Sequence, residues 1–123
     1  MSGALVADTG GLLRAASAVI VPGLVLAEVD YFLREERVAM RRLVPETFDP
    51  RTTYEFQAPA PPDIARALEL DGKSRHLRLG LADGTVAAVA ERRRVYRILT
   101  TDRRDFGALR IAPRYDRALE LGP

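Results

Sequence analysis

The apolar residues of this chain fall into short runs that stop at turn-forming residues. Ala4-Leu5-Val6-Ala7 ends at Asp8-Thr9-Gly10-Gly11, and Ala18-Val19-Ile20-Val21 ends at Pro22-Gly23. Runs this short, closed by Gly, Pro or Asp, read as buried strands. After the second run the spacing changes to that of a helix. Val25, Val29, Phe32 and Leu33 form one apolar stripe, which predicts a helix from Leu24 to about Arg37. Helical character continues through Met40 and Leu43 and is expected to stop before Pro45. Thr52–Phe56 reads as a strand and Ala58–Pro62 as a stiff connector. Asp63 is expected to cap a helix to about Leu70, with a turn at Asp71–Ser74. A helix from Asp83 to Arg94, a strand from Val95 to Leu99 and then Thr100-Thr101-Asp102 complete the pattern. Strands alternating with helices predict an α/β fold with a mostly parallel sheet.

With 123 residues the chain suits one domain spanning 1–123. It has no cysteine, which excludes a disulfide scaffold, a thiolate zinc site and a cysteine nucleophile. No apolar run approaches the ~18 residues that span a bilayer. The opening Met1-Ser2-Gly3-Ala4 lacks the basic start and apolar body of a signal peptide. A cytoplasmic protein without membrane contact is therefore expected. A net charge of +2 is too mild to demand a nucleic-acid partner by itself.

The link Thr9–Ser17 is short for a parallel crossover, which needs roughly ten to twelve residues or more. Gly11-Leu12-Leu13 looks like a helix start and Arg14–Ser17 like a helix end, so a chain break is expected near Leu13–Arg14.

Four carboxylates stand at chemically telling places. Asp8 closes the first strand and Asp102 follows the last clear one, and open α/β sheets bind ligands at the carboxyl ends of their strands. Glu28 lies three residues after Val25 and four before Phe32, on the inward face of its helix. Asp30 is turned away by about 200°. Asp83 precedes Val86 by three and opens its helix on the buried side. Crowded carboxylates repel one another, and a hard divalent cation relieves the repulsion. Oxygen donors without histidine or cysteine favour Mg²⁺, with Mn²⁺ as the other option, over zinc. Each acid also has a plain structural reading: Asp8 as a turn residue, Asp83 as a helix N-cap, Asp102 as an Asx turn. Glu28 fits such a reading least well, because of its face.

The motifs around these acids resemble those of PIN-domain proteins. Leu5-Val6-Ala7-Asp8-Thr9-Gly10 resembles the family's opening, and Val21–Leu33 around Glu28 its second acidic motif. Leu79–Glu91 around Asp83 is similar to the third, and Ile98–Phe106 around Asp102 to the last. Their order resembles the VapC toxins of bacterial toxin–antitoxin pairs, from about Leu5 to Arg110. The resemblance implies a three-layer α/β/α fold and a Mg²⁺-dependent endoribonuclease. It further implies a homodimer neutralised by a VapB-type antitoxin. By motif position, Asp8, Glu28, Asp83 and Asp102 become the metal-holding, catalytic acids, with Thr9 and Thr101 as supporting hydroxyls. The alternative is a PIN-domain nuclease acting in RNA processing or on DNA. A receiver-type phosphotransfer domain would want a lysine near the last strand, and the sole lysine, Lys73, is far from it in sequence.

Several side chains have two readings. Arg103 and Arg104 either meet RNA phosphates or lie on a solvated loop. Arg92-Arg93-Arg94 close a helix, where the dipole favours cations. Arg34, Arg37, Arg41 and Arg42 form either a positive rim or a solvated helix face. His76 is expected at the surface. Tyr31 and Phe32 offer a surface for a dimer or antitoxin contact, with core packing favoured for Phe32.

Overall fold

The computed structural model describes residues 6–8, 19–77, 79–99 and 103–121. The expected break near Leu13–Arg14 lies outside the described residues. Seven short strands and five helices are described: β1 (Val6–Asp8), β2 (Val19–Pro22), α1 (Val25–Phe32), α2 (Arg37–Phe48), β3 (Tyr54–Gln57), α3 (Pro61–Lys73), α4 (Gly80–Arg93), β4 (Arg97–Leu99), α5 (Arg103–Ala108), β5 (Arg110–Ile111), β6 (Arg117–Ala118) and β7 (Glu120–Leu121). The α/β class expected from the alternation is present. None of the described helices is long and apolar enough to cross a membrane.

Five strands form one sheet in the order β3-β2-β1-β4-β7, and β5 pairs with β6 separately. β2 and β3 are parallel, as are β4 and β7. β1 runs antiparallel to both its neighbours, with Ala7 opposite Ile20 on one side and Ile98 on the other. The sheet is therefore mixed: its four other strands share one direction and its central strand opposes them.

α4 organises the interior. Every residue from Asp83 to Ala90 is buried, because Ala, Gly, Val and Thr are small enough to let other elements close on several sides. Its Val86, Val89 and Ala90 join Ile20, Ile98, Leu70, Phe106 and Ile111 in one apolar cluster. Burying each larger side chain contributes roughly 1.5–3 kcal/mol. α3 and α4 approach closely at Gly84. A Cβ placed there would lie 2.8 Å from the Ala67 Cβ and 3.1 Å from the Ala67 carbonyl oxygen.

Charged groups fix the rim of this packing. Asp63, 2% exposed, accepts from Arg92 Nε at 2.8 Å and Nη2 at 3.0 Å. It also accepts from the Ala60 N–H at the start of α3, at 3.4 Å. Arg93 donates to Glu55 and Gln57, tying α4 to the edge strand β3. Arg66 Nε and Nη2 each donate to Glu91 at 2.9 Å, and Glu91 accepts the Ala112 N–H at 2.6 Å. That last bond holds Ala112 at φ 77, a region few non-glycine residues adopt. So Arg92 and Arg93 serve the fold, beyond any favourable dipole at the helix end.

Several boundaries differ from expectation. The predicted single helix is two, because the backbone leaves helical geometry at Leu33 and re-enters after Glu36. Arg34-Glu35-Glu36 are not helix breakers, so the division follows from tertiary packing: α1 lies against α4 and β2, and α2 against β3. α2 also runs through Pro45 to Phe48. Its end is anchored by Phe48 against Phe56, with ring centroids 4.6 Å apart. That contact opposes the roughly 3 kcal/mol cost of an interior proline. α3 begins at Pro61, two residues before Asp63, and continues through the expected turn to Lys73. α4 begins at Gly80, so Asp83 is inside the helix and not its N-cap. Phe32, expected in the core, is 59% exposed at the end of α1.

Two glycines test the central packing. Gly84→Val places branched carbons against the Ala67 backbone and is expected to lower stability by about 3 kcal/mol. Gly72, in α3, has open space where a Cβ would sit, with nothing within 4 Å. Gly72→Ala is expected to raise stability by up to about 1 kcal/mol. Urea denaturation of both variants reads the contrast, which is absent if α3 and α4 do not meet at Gly84.

Candidate functional site

α1 and α4 pack together, and each carries one of the expected acids on or near that contact. Glu28 lies in the first turn of α1, after the buried Val25. Its Oε1 is buried and has no hydrogen-bond partner among the described residues. Asp83 lies in the first turn of α4 and is 6% exposed. The helix dipole favours an anion at that position.

The two carboxylates interact electrostatically. Burial pushes the Glu28 carboxyl above its ordinary value of 4.5, and the Asp83 charge pushes it further the same way. Ionising a half-buried carboxylate close to a second one costs free energy, which a nearby cation would offset. An unsatisfied buried oxygen is the feature a cation would satisfy, and two carboxylates are the donor type that Mg²⁺ accepts. These residues thus fit a hard divalent ion. Among the described residues, no group of three or more His, Cys, Asp or Glu side chains converges into a complete metal site.

The other two expected acids stand differently. Asp102, like Thr9 and Thr101, lies outside the described residues, as does the side chain of Asp8. The backbone of Asp8 is placed by its register. It pairs with Val19 and with Arg97, at the edge where β2 and β4 begin. Glu28 follows the opposite edge, where β2 ends and the chain turns into α1. The reversed direction of β1 produces this separation. The structure brings Glu28 and Asp83 together and does not bring the Asp8 backbone to their edge of the sheet.

One further side chain, Arg97, carries no motif in the sequence. This half-buried residue in β4 has a buried Nη1 with no hydrogen-bond partner among the described residues. Its Cα lies in register with Asp8 on one side and Glu120 on the other. An arginine between Tyr96 and Ile98, inside an apolar strand pattern, is the signal that marks it. His76 lies exposed in the short 3₁₀ turn Arg75–Leu77, as expected. Arg104 is 87% exposed at its side chain and faces Asp105 at 3.4 Å. Comparison with protein-family models and with curated proteins gives no match.

The raised Glu28 pKa has a stability consequence. The folded state keeps the proton to higher pH than the unfolded state does. This group's contribution to stability is therefore most favourable below the ordinary value of 4.5 and falls as pH rises through the raised folded value. Glu28→Gln, which cannot ionise, is expected to raise the urea midpoint of the metal-free protein at pH 7 and to leave it nearly unchanged at pH 4. Equal midpoints for the two proteins at pH 7 would show that the Glu28 charge is compensated.

Proposed function

We propose that this chain is a metal-dependent endoribonuclease of the PIN-domain type, with a three-layer α/β/α arrangement, acting as a toxin held in check by a VapB-type antitoxin. The observation that carries the reading is the pair of acids on α1 and α4, with Glu28 Oε1 buried and lacking a hydrogen-bond partner among the described residues. Support also comes from the order of the four acidic motifs along the sequence. Homodimerisation and a cytoplasmic setting belong to the same reading.

Glu28 and Asp83 are the residues that would hold Mg²⁺, and Asp102 joins them by motif position. A bound Mg²⁺ supplies a water of lowered pKa and neutralises charge on a phosphate. The chain contributes the rest. The burial of α4 sets Asp83 in a fixed position, and the packing of α1 on α4 holds Glu28 beside it. Both carboxylates are needed in their ionised form, so activity should rise with pH through the raised Glu28 value. Asp8 enters this site on motif position alone, since its backbone lies at the other edge of the sheet.

The test is cleavage of single-stranded RNA, with a DNA of the same sequence beside it. RNA is expected to be cut with Mg²⁺ and left whole with EDTA. Glu28→Gln, Asp83→Asn and Asp102→Asn are each expected to lower the rate by about a hundredfold or more. An equal loss in Asp8→Asn adds that residue to the site, and an unchanged rate removes it. Cleavage that persists undiminished in both Glu28→Gln and Asp83→Asn would end the nuclease proposal. Preferential cutting of DNA would move the activity outside a ribonuclease toxin.

A further inference from the structure

We infer that Tyr31 and Phe32 form a stacking platform for an unpaired nucleobase of the RNA substrate; this rests on the nuclease reading of Glu28. The two rings occupy the last turn of α1, three and four positions after Glu28. Residues at those spacings are neighbours on a helix, about 5–6 Å apart at their Cβ atoms. A base flanking a phosphate held near Glu28 would lie within their reach. Both rings face solvent, Tyr31 at 60% and Phe32 at 59% exposure. Adjacent large exposed aromatics mark a contact surface more often than scattered single ones do.

Arg34 identifies the kind of contact. Just past the end of α1, its Nη1 donates to the Tyr31 carbonyl at 2.8 Å. Its guanidinium carbon lies 4.2 Å from the centroid of the Tyr31 ring. The guanidinium covers one ring face, restrains the ring and leaves the other face to a partner. An aromatic ring backed by a fixed cation suits a nucleobase, which brings both a π face to stack and a phosphate to neutralise. Charge on the neighbouring helix points the same way. Arg37 is paired with Asp30 at 2.6 Å, but Arg34, Arg41 and Arg42 are exposed and make no ion pair among the described residues. Stacking rings flanked by arginines free of ion pairs among the described residues are a combination by which proteins hold single-stranded nucleic acid. A second copy of the chain is the competing occupant. It would use the adjoining groove of about 370 Å³ lined by Leu33, Ala39, Arg42, Leu43 and Glu46.

The experiment measures binding apart from cleavage. Anisotropy of a labelled single-stranded oligoribonucleotide is recorded in EDTA, with sedimentation velocity on each protein and Mg²⁺ cleavage by the wild type in parallel. Tyr31→Ala and Phe32→Ala are each expected to weaken binding roughly tenfold. Tyr31→Phe should bind as the wild type does. Tyr31→Leu, apolar but unable to stack, should lose as much as Tyr31→Ala. Because the rings are exposed, thermal melting should be unchanged in all four. Undiminished binding in Tyr31→Ala, or wild-type binding in Tyr31→Leu, overturns the inference. So does a loss of binding accompanied by a change in sedimenting mass, which assigns the surface to a second copy. Cleavage with undiminished binding sinks the platform and spares the nuclease reading. Weakened binding without wild-type cleavage sinks the nuclease reading and leaves the platform as an RNA contact.

Discussion

The close approach of α3 and α4 at Gly84 governs the rest of this molecule. With no side chain at that position, the Ala67 backbone and Cβ come within the distance any larger residue would need. The approach draws the whole run Asp83–Ala90 out of solvent. That burial is also what makes Asp83 chemically unusual. An aspartate one turn into an ordinary surface helix would be a solvated anion of no consequence. Here the same residue is carried inward with its apolar neighbours, and its charge acts on the half-buried Glu28.

A helix so uniformly small and apolar has little to fix its rotation or register, and charged groups at its far end supply this. Glu91, Arg92 and Arg93 reach three different places: Arg66 and the Ala112 turn, Asp63 at the start of α3, and Glu55 on β3. Three divergent ion pairs on consecutive residues leave only one orientation that satisfies them all. The Arg92–Asp63 pair is one-sided, with Asp63 almost fully buried and Arg92 partly in water. The carboxylate is compensated while the guanidinium keeps part of its hydration, which avoids much of the desolvation cost of a fully buried pair. The C-terminal end of α4 thus sets Glu91, Arg92 and Arg93 each against an opposite charge, and at the N-terminal end the Asp83 charge acts on Glu28.

The sequence showed most of the elements, because each rests on a local signal: short apolar runs for β2 and β4, helical spacing for α1, α3 and α4. It also singled out Glu28 as a carboxylate within an apolar stripe, of which Val25 is buried, Glu28 half-buried and Phe32 exposed. What it hid is set by contacts distant in the chain. The division of α1 from α2 falls among good helix formers and answers to two separate packing partners. Pro45 is tolerated because Phe48 is anchored beyond it. Asp83 reads as an N-cap before Gly-Thr-Val, yet the helix starts three residues earlier. The direction of β1 has no local signature at all. An apolar strand reads alike in parallel and antiparallel pairing, so the placement of Asp8 relative to Glu28 could not be derived from spacing.

That direction decides how the acids can cooperate. β2 and β4 point the same way, and both end at the edge where α1 begins. Glu28, which follows the end of β2, and Asp83 from α4 interact there without requiring anything of β1. The backbone at the end of β1 meets instead the beginnings of β2 and β4, where Arg97 carries a buried nitrogen with no hydrogen-bond partner among the described residues. The sheet therefore separates two electrostatic problems. At one edge stands the half-buried Arg97. At the other, burial and the Asp83 charge push the Glu28 carboxyl above its ordinary value, and Glu28 Oε1 is buried without a hydrogen-bond partner among the described residues. Of the two, the acidic edge is the one that sets like charges beside the start of a helix, so burial and charge act on Glu28 in the same direction there.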